Sequence, residues 1–345
     1  LSRLKLVNFR SFKEREFLLA AQTIIFGPNG SGKTNILEAF YLLATTTSFR
    51  AKDEKDLITI GEDFTRVEFG ELAVTLKRES EKVKKNYTIA DKKIPLYKAL
   101  GRLKVVLFSP EILNVIAGSP NERRRFLNIA VSQTDNLYAF RLSEYKNILR
   151  QRNALLSLIK NRQADIKELE FWDQELTSVG MEIISKRREF VKKINGETER
   201  LAPLFSQKLL RVEYQSSIFS KEDFLKQLLG HREKEIEYTY TTIGPHRDDL
   251  SFIFNNKEMA VFGSRGEWRL AMLIYLFALF EVLRNGQEEV SPICLFDDFY
   301  SELDKENIVL VERFLLDKRF LITAADLSES TKNLFKKANY LELLC

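Results

Sequence analysis

Residues Gly27-Pro28-Asn29-Gly30-Ser31-Gly32-Lys33-Thr34 place glycines, a lysine and a hydroxyl at the spacing that grips a phosphate. The stretch fills the pattern Gly-x-x-x-x-Gly-Lys-Ser/Thr without a gap. Glycines leave backbone N–H groups free to turn inward on a β-phosphate, and the helix that follows adds positive potential at its N-terminus. Lys33 would neutralise the β- and γ-phosphates, and the Thr34 hydroxyl would coordinate Mg2+. The competing reading is a merely tight glycine turn. The four fixed positions match by accident in roughly one chain in a hundred of this length. Context argues for the phosphate reading: the apolar run Thr23–Phe26 leads in as a buried strand, and Ile36, Leu37, Phe40, Leu42 and Leu43 follow at helical spacing.

A second constellation would complete such a site. Ile293-Cys294-Leu295-Phe296-Asp297-Asp298 is a short apolar strand delivering two carboxylates at its end, the Walker B form. Asp297 would hold Mg2+ through its shell, and Asp298 would orient or deprotonate a water. A helix cap or turn aspartate is the alternative for Asp298. Upstream, Gly263-Ser264-Arg265-Gly266-Glu267 precedes the apolar stretch 270–283. Ser264 reads either as a simple helix cap or, with Gly266, as a signature loop that meets the γ-phosphate held by an opposite copy. One phosphate loop and one signature loop per chain then require a head-to-tail pair closing over two ATP molecules.

The bulk numbers set the frame. The 345 residues allow one large or two ordinary domains, and 44% apolar residues suit a soluble globular chain. A net charge of +5 is compatible with nucleic acid without requiring it. Cys294 and Cys345 lie far apart, so no disulfide framework is expected, and two histidines with two distant cysteines do not make a zinc site. No apolar run reaches the ~20 residues of a membrane span, and Leu4–Val7 reads as a strand rather than a signal peptide's core. A cytoplasmic setting is expected, with no membrane partner.

Periodicity places the motifs. Residues 1–26 read as two strands around a turn from Asn8 to Glu16, followed by a helix over 33–45. Paired strands are expected around Val67 and Phe69 and around Leu72, Val74 and Leu76, with Lys82, Lys84 and Lys85 near a turn, and a buried strand over Leu103–Phe108. From Asn121 to about Lys234 the chain reads as helical, with long helices over 138–162 (roughly 37 Å at 1.5 Å per residue) and 166–195. Strands return near Glu237–Thr241 and Leu250–Phe254, then a helix over 270–283, a strand over Ile293–Phe296, a helix over 306–316 and a last core strand over Phe320–Thr323. The predicted fold is α/β: an ABC-type P-loop ATPase head with mixed sheets, interrupted by an all-helical lobe. Its parts are 1–120 with Walker A, 121–235 as the helical lobe, and 236–345 with signature, Walker B and D-loop.

The ordered set of motifs resembles the bacterial RecF family, ABC ATPases related to SMC heads. The resemblance runs over nearly the whole chain: Leu6-Val7-Asn8-Phe9-Arg10, the phosphate loop, Ser48-Phe49-Arg50, Phe108-Ser109-Pro110-Glu111, Gly118 to Leu127, Gln151-Arg152-Asn153, Trp172-Asp173, Gly244-Pro245-His246-Arg247-Asp248-Asp249-Leu250, and Asp297-Asp298 through Ser301-Glu302-Leu303-Asp304. It implies a nucleoid-associated, ATP-dependent DNA-binding protein of recombinational repair and replication-fork maintenance. An ATP-driven homodimer would clamp duplex or single/double-strand junctions. It would assist RecA loading at gaps with RecR, with RecO a functional partner, and slow DNA-stimulated hydrolysis would reset it. Under the same resemblance Ser301–Asp304 is the D-loop bridging the two nucleotides, with Asp304 near ATP. Arg50 reaches the γ-phosphate, or is a surface or DNA-contacting arginine; Glu111 joins the metal shell or positions water. Lys33, Ser264 and Asp298 carry the catalysis. The chain departs from the pattern at Arg265, Glu267 and Trp268, where glutamine-rich positions are usual, at Asn128, where aspartate is usual, and near Thr323, where no histidine stands. Rapid histidine-assisted hydrolysis is therefore not expected.

The basic candidates for DNA are Lys84, Lys85, Arg123, Arg124, Arg152 and Lys186, among wider clusters over 82–93, 123–125, 150–152 and 186–193. Lysine and arginine also decorate solvated helices, and Arg123–Arg125 have a second reading as packing between lobes. Aromatic and basic residues do not interleave, so backbone-dominated, sequence-tolerant binding to duplex is expected. His246 with Asp248 and Asp249 reads mainly as a polar network at a turn and alternatively as a nuclease centre. Two other function classes stand beside the clamp: an SMC-type architectural head, for which the helical block is too short, and an ABC-linked nuclease, for which no separate carboxylate-rich metal domain is visible.

Overall fold

The computed structural model describes residues 2–80, 82–285, 291–326 and 329–344. The chain opens with β1 (Ser2–Phe9), β2 (Phe12–Leu19) and β3 (Gln22–Phe26), then α1 (Lys33–Thr45). Next come β4 (Phe64–Phe69), β5 (Leu72–Glu79), β6 (Lys82–Ile89), β7 (Lys92–Ile94), the short α2 (Leu96–Ala99) and β8 (Val105–Phe108). A helical run follows: α3 (Pro110–Ala117), α4 (Pro120–Thr134), α5 (Asn136–Lys160) and α6 (Leu169–Leu201), then β9 (Leu210–Gln215) and α7 (Lys221–Tyr238). The remainder holds β10 (Asp249–Phe254), β11 (Lys257–Glu258), α8 (Met259–Phe262), α9 (Arg265–Asn285), β12 (Ile293–Phe296), α10 (Phe299–Glu302), α11 (Lys305–Leu315), β13 (Arg319–Ala324), α12 (Glu329–Leu334) and β14 (Asn339–Glu342).

Three sheets result. A parallel sheet runs β14-β3-β13-β12-β8, an antiparallel one runs β2-β1-β4-β5-β6-β7, and a small one runs β11-β10-β9. Every residue of β8 and β12 is buried, as a strand covered on both faces demands. In β1, by contrast, Leu4 and Leu6 point inward and the intervening Lys5 pairs with Glu14 and Glu16 across the sheet. Helix α1 packs on both large sheets and is buried almost throughout, from Ile36 to Thr45. That explains the lack of a polar stripe in its sequence.

Several elements differ from the sequence expectation. Residues 1–26 hold three strands, because the chain reverses in a tight turn at Arg10 and Ser11, with Asn8 and Arg10 at positive φ. Lys82, Lys84 and Lys85 do stand beside the reversal between β5 and β6, on β6 itself, where Lys82 pairs with Glu79. No strand forms over 237–241; α7 runs on to Tyr238 and ends at Thr239. The segment expected to be helical throughout also carries β9, which pairs antiparallel with β10. A strand beyond Phe320–Thr323, β14, adds itself to the far side of β3. Cys345, weighed above for disulfides, lies outside the described residues, and Cys294 is a free, buried thiol.

The helical segment is tied together by buried charge. Arg152 on α5 is fully enclosed; its guanidinium donates to Asp173 Oδ1 at 2.8 Å, Glu235 Oε2 at 2.7 Å and Thr241 Oγ1 at 2.8 Å. Arg232 donates to the other oxygen of Asp173 at 2.8 Å. The expectation that Arg152 contacts DNA is therefore corrected: no part of it reaches solvent, and its charge is spent on α6 and α7. Breaking one partner of a buried pair strands the other. Arg152→Ala is expected to lower the unfolding free energy by about 3–5 kcal/mol in urea titrations, while leaving duplex affinity of the folded protein unchanged in the cold.

Candidate functional site

The parallel sheet decides where the site must be, because strands of one direction present their carboxyl ends at one edge. At that edge lie Gly27–Gly32 after β3, Ser109 and the start of α3 with Glu111 after β8, Asp297–Asp298 after β12, and Thr323 near the end of β13 itself. In the phosphate loop Gly27, Gly30 and Gly32 take φ of 147°, 88° and 94°. A Cβ at Gly27 would lie 2.2 Å from the Leu343 carbonyl oxygen, and one at Gly32 would lie 2.5 Å from the Phe12 ring. Both conformation and space thus require glycine there. Pro28, Asn29 and Gly30 form the exposed crest, and Lys33 lies back beneath it, donating to the Gly27 and Pro28 carbonyls at 2.7 and 2.8 Å.

Thr34 Oγ1 donates to Asp297 Oδ1 at 2.9 Å, joining residues 263 positions apart. The same carboxylate oxygen accepts from Thr323 Oγ1 at 2.8 Å, and Thr323 Oγ1 in turn accepts the Asp298 N–H at 2.9 Å. Asp297 is buried, which raises its pKa; hydrogen bonds from Thr323 and Thr34 oppose that, the Glu111 charge adds to it and the Arg50 charge opposes it. Glu111 Oε2 and the hydroxyls of Ser31 and Ser109 are buried without a hydrogen-bond partner. Hydroxyl and carboxylate oxygens with an unsatisfied buried carboxylate oxygen are the donor set a hard divalent cation takes, so the residues fit Mg2+. Asp298 is exposed in a left-handed conformation (φ 50°). Its carbonyl accepts from the Ser301 N–H and hydroxyl, which fixes the start of the following turn.

Arg50 is exposed on a loop held by Ser48, whose hydroxyl accepts the N–H groups of Arg50 (2.9 Å) and Ala51 (2.7 Å). Ser48 donates to the buried Glu38, which Arg10 grips through two nitrogens at 2.7 and 2.8 Å. Thr323 and Glu38 were not singled out from sequence. Thr323 was legible only as the neighbour of Asp297 across two parallel strands, and Glu38 as a lone acid among apolar positions of α1.

Ser264 and Gly266 are exposed at the start of α9. Ser264 makes a reciprocal cap with Glu267: its N–H and hydroxyl donate to Glu267 Oε2 at 2.9 and 2.8 Å, and the Glu267 N–H donates back at 3.3 Å. None of these bonds reaches the phosphate loop. Asp304 is exposed and caps α11 through Asn307. The side chain of Glu302, within the D-loop stretch, lies outside the described residues.

The basic candidates divide. Lys85 is enclosed between Glu54 and the Thr46 carbonyl, and Arg123 is clamped to Asp249 at 2.6 and 2.8 Å. Both corrections to the DNA expectation have one cause: the charge is already neutralised inside the protein. Arg124 is partly covered and donates to the Asp248 carbonyl at 2.7 Å. Lys84 and Lys186 are about half exposed, each beside one acid, Glu79 and Asp135. His246 accepts from Tyr145 Oη at Nδ1 (2.9 Å) and donates from Nε2 to the Thr241 carbonyl (3.1 Å), a neutral ring in a polar network. Asp248 is held by Tyr214. Among the described residues no cluster of three or more His, Cys, Asp or Glu is placed to hold a metal ion.

Burial lowers the His246 pKa from 6.5 to about 4, with the charges of Arg247, Arg124 and Arg152 acting in the same direction and the Thr241 carbonyl against them. Between those values the unfolded chain binds a proton that the folded chain refuses. The stability carried by the neutral ring is complete above about pH 6.5 and is lost as the pH falls towards 4. His246→Gln is expected to flatten the stability profile in that window by about one proton's slope, measured by urea denaturation at a series of pH values; a profile as steep as the native one would contradict it.

The family model for the RecF/RecN/SMC N-terminal domain matches residues 1–101. The DNA replication and repair protein RecF of Agathobacter rectalis is 35% identical over 348 aligned positions, covering 96% of this chain and 94% of that protein. That of Ligilactobacillus salivarius is 32% identical, covering 98% and 94%. A solved structure of the recombination mediator protein RecF with ATP, from the RecFOR pathway, superposes with a TM-score of 0.85 at 26% identity over 95% of this chain and 92% of that one. The Smc head from Pyrococcus furiosus, at 18% identity and a TM-score of 0.51, shares the fold alone. With this identity sustained across nearly its whole length, the chain belongs to the RecF family.

Proposed function

We propose that this chain is an ATP-dependent DNA-binding protein of recombinational repair, working as a homodimer that closes over two ATP molecules and releases them by slow hydrolysis. The observation that carries the reading is the hydrogen bond from Thr34 to Asp297, which closes the phosphate loop onto the second carboxylate-bearing strand. Gly27 to Gly32 would wrap the phosphates and Lys33 would neutralise them. Thr34, Asp297 and Glu111 would hold Mg2+, which supplies charge neutralisation on the phosphates. Asp298, exposed one residue on, would orient water, and Arg50 would meet the γ-phosphate. Ser264, Gly266 and Asp304 would be offered to the nucleotide of the other copy, since all three are exposed and none is engaged with its own chain's phosphate loop.

DNA binding is assigned to solvent-facing lysines, with Lys84 and Lys186 the exposed members of the candidate set. Duplex and strand junctions as targets, and RecR, RecA and RecO as partners, follow from family membership. The division into 1–120, 121–235 and 236–345 is retained for function, which puts Lys84 in the first part and Lys186 in the middle one. A bacterial cytoplasmic, nucleoid-associated setting accords with this reading; among the described residues no helix is long and apolar enough to cross a membrane. The nuclease alternative loses its centre because His246 and Asp248 are consumed in internal hydrogen bonds. The architectural alternative is weakened because the longest helix, α6, spans only 33 residues.

Light scattering tests the pairing. The mass should double with ATP and Mg2+, and Lys33→Ala should remain single at every ATP concentration. Asp298→Asn should bind ATP, stay paired and turn over at least about a hundredfold more slowly. A native mass that never doubles would sink the reading, and normal turnover by Asp298→Asn would remove that residue from catalysis.

A further inference from the structure

Between the C-terminal end of α1, α4, α5 and the turn at Pro245 lies a cleft of about 630 Å3. Arg124, Arg125, Lys146 and Arg187 line it, and no aspartate or glutamate does. Elsewhere Lys85, Arg123, Arg152 and Lys186 each meet a carboxylate. In the cleft Arg124 donates to the Asp248 carbonyl and the Asn121 side chain, and Arg125 to the Ser48 carbonyl at 2.7 Å, while Arg187 lies 3.8 Å from the Asp248 carboxylate. Among the described residues Arg124, Arg125 and Lys146 form no ion pair. Burial lowers the Arg124 pKa and the charges of Arg187 and Arg247 add to it, while the charges of Asp249 and Asp248 oppose it.

Apolar side chains line the cleft beside these cations. Leu142 and Leu149 share one face of α5 with Lys146, at helical spacing, and Leu96 and Ile129 face them from α2 and α4. Such a lining offers nothing to a sugar–phosphate backbone but buries a ring. The volume falls within the ~300–1,000 Å3 of small-ligand sites. We propose that this cleft binds a small phosphorylated ligand of nucleotide size, separate from the phosphate loop. Its phosphates meet Arg124, Arg125 and Lys146, and its ring lies against Leu142 and Leu149. The occupant also has a route to the ATP site: Arg125 holds Ser48, and the Ser48 hydroxyl holds the backbone of Arg50. Drawing the Arg125 guanidinium into the cleft therefore loads the loop that carries Arg50.

The test uses the full chain with Lys33→Ala, so that the phosphate loop does not take the probe, and GDP bearing a fluorescent ribose label. One probe per chain is expected to bind, and adding Arg124→Glu with Lys146→Glu should weaken it at least about tenfold. Circular dichroism checks that helix content is kept. The same two reversals on a chain with native Lys33 should leave ATP binding at the phosphate loop intact, which separates this proposal from the reading above. No binding to Lys33→Ala, or equal binding with and without the reversals, overturns the proposal. It also falls if the reversals abolish binding of a short duplex and spare the probe, since the cleft would then hold nucleic-acid phosphates.

Discussion

A buried carboxylate, Asp297, organises this molecule. It accepts hydrogen bonds from Thr34 and Thr323, and so gathers three separate stretches of sequence at one edge of one sheet. A buried charge left without donors costs several kcal/mol, so each hydroxyl is a requirement rather than an ornament. The strand order explains how the chain tolerates a long insertion here. Residues 109–292 leave from β8 and return at β12, and these two strands are direct neighbours, paired in parallel. The sheet therefore closes as if the intervening helices were a single large crossover. Loop-closure entropy grows only slowly with length, which makes such an insertion thermodynamically mild.

Charge is handled differently in the two halves. Beside the parallel sheet, Lys33 and Asp297 are engaged at the phosphate loop. In the helical segment charge is dense and internal, with Arg152, Asp173, Arg232 and Glu235 forming one connected set. The three arginines 123–125 show why. Consecutive helix positions point about 100° apart, so Arg123 reaches Asp249, Arg124 the Asp248 carbonyl and Arg125 the Ser48 carbonyl. One helical turn thereby bolts α4 to the small sheet on one side and to the Arg50 loop on the other.

The phosphate loop and the Walker B strand were legible in the sequence because their residue types are dictated locally: glycine by positive φ, apolar runs by burial on both faces. Helices α1, α5, α6 and α11 were legible within a few residues for the same reason, since their periodicity is a local property. What escaped was decided at a distance. Strand β9 is six residues inside a helical stretch, and only β10 gives it a partner. The residues before Gly244 looked extended, yet α7 continues to Tyr238 and its cap lies at Thr239. The basic clusters misled because a count of arginines carries no record of their counter-ions. Arg152 and Lys186 read alike in sequence, and one is sealed while the other faces water.

The signature loop illustrates how one chemistry serves two ends. A helix N-terminus holds unsatisfied N–H donors and a positive potential, and either a capping side chain or a phosphate answers both. Here Glu267 provides the answer within the chain, accepting from the N–H and hydroxyl of Ser264, and those two donors lower its pKa so that it stays ionised. In the proposed pairing a phosphate held by another copy would have to take the same donors, against the repulsion of that carboxylate. The cap is exposed, so solvent screens the repulsion and the exchange costs little more than a surface hydrogen bond or two. Were the cap buried, the same two residues would close the site to any anion. In the proposed pairing, exposure of Ser264, more than its identity, would therefore keep α9 available to a neighbour.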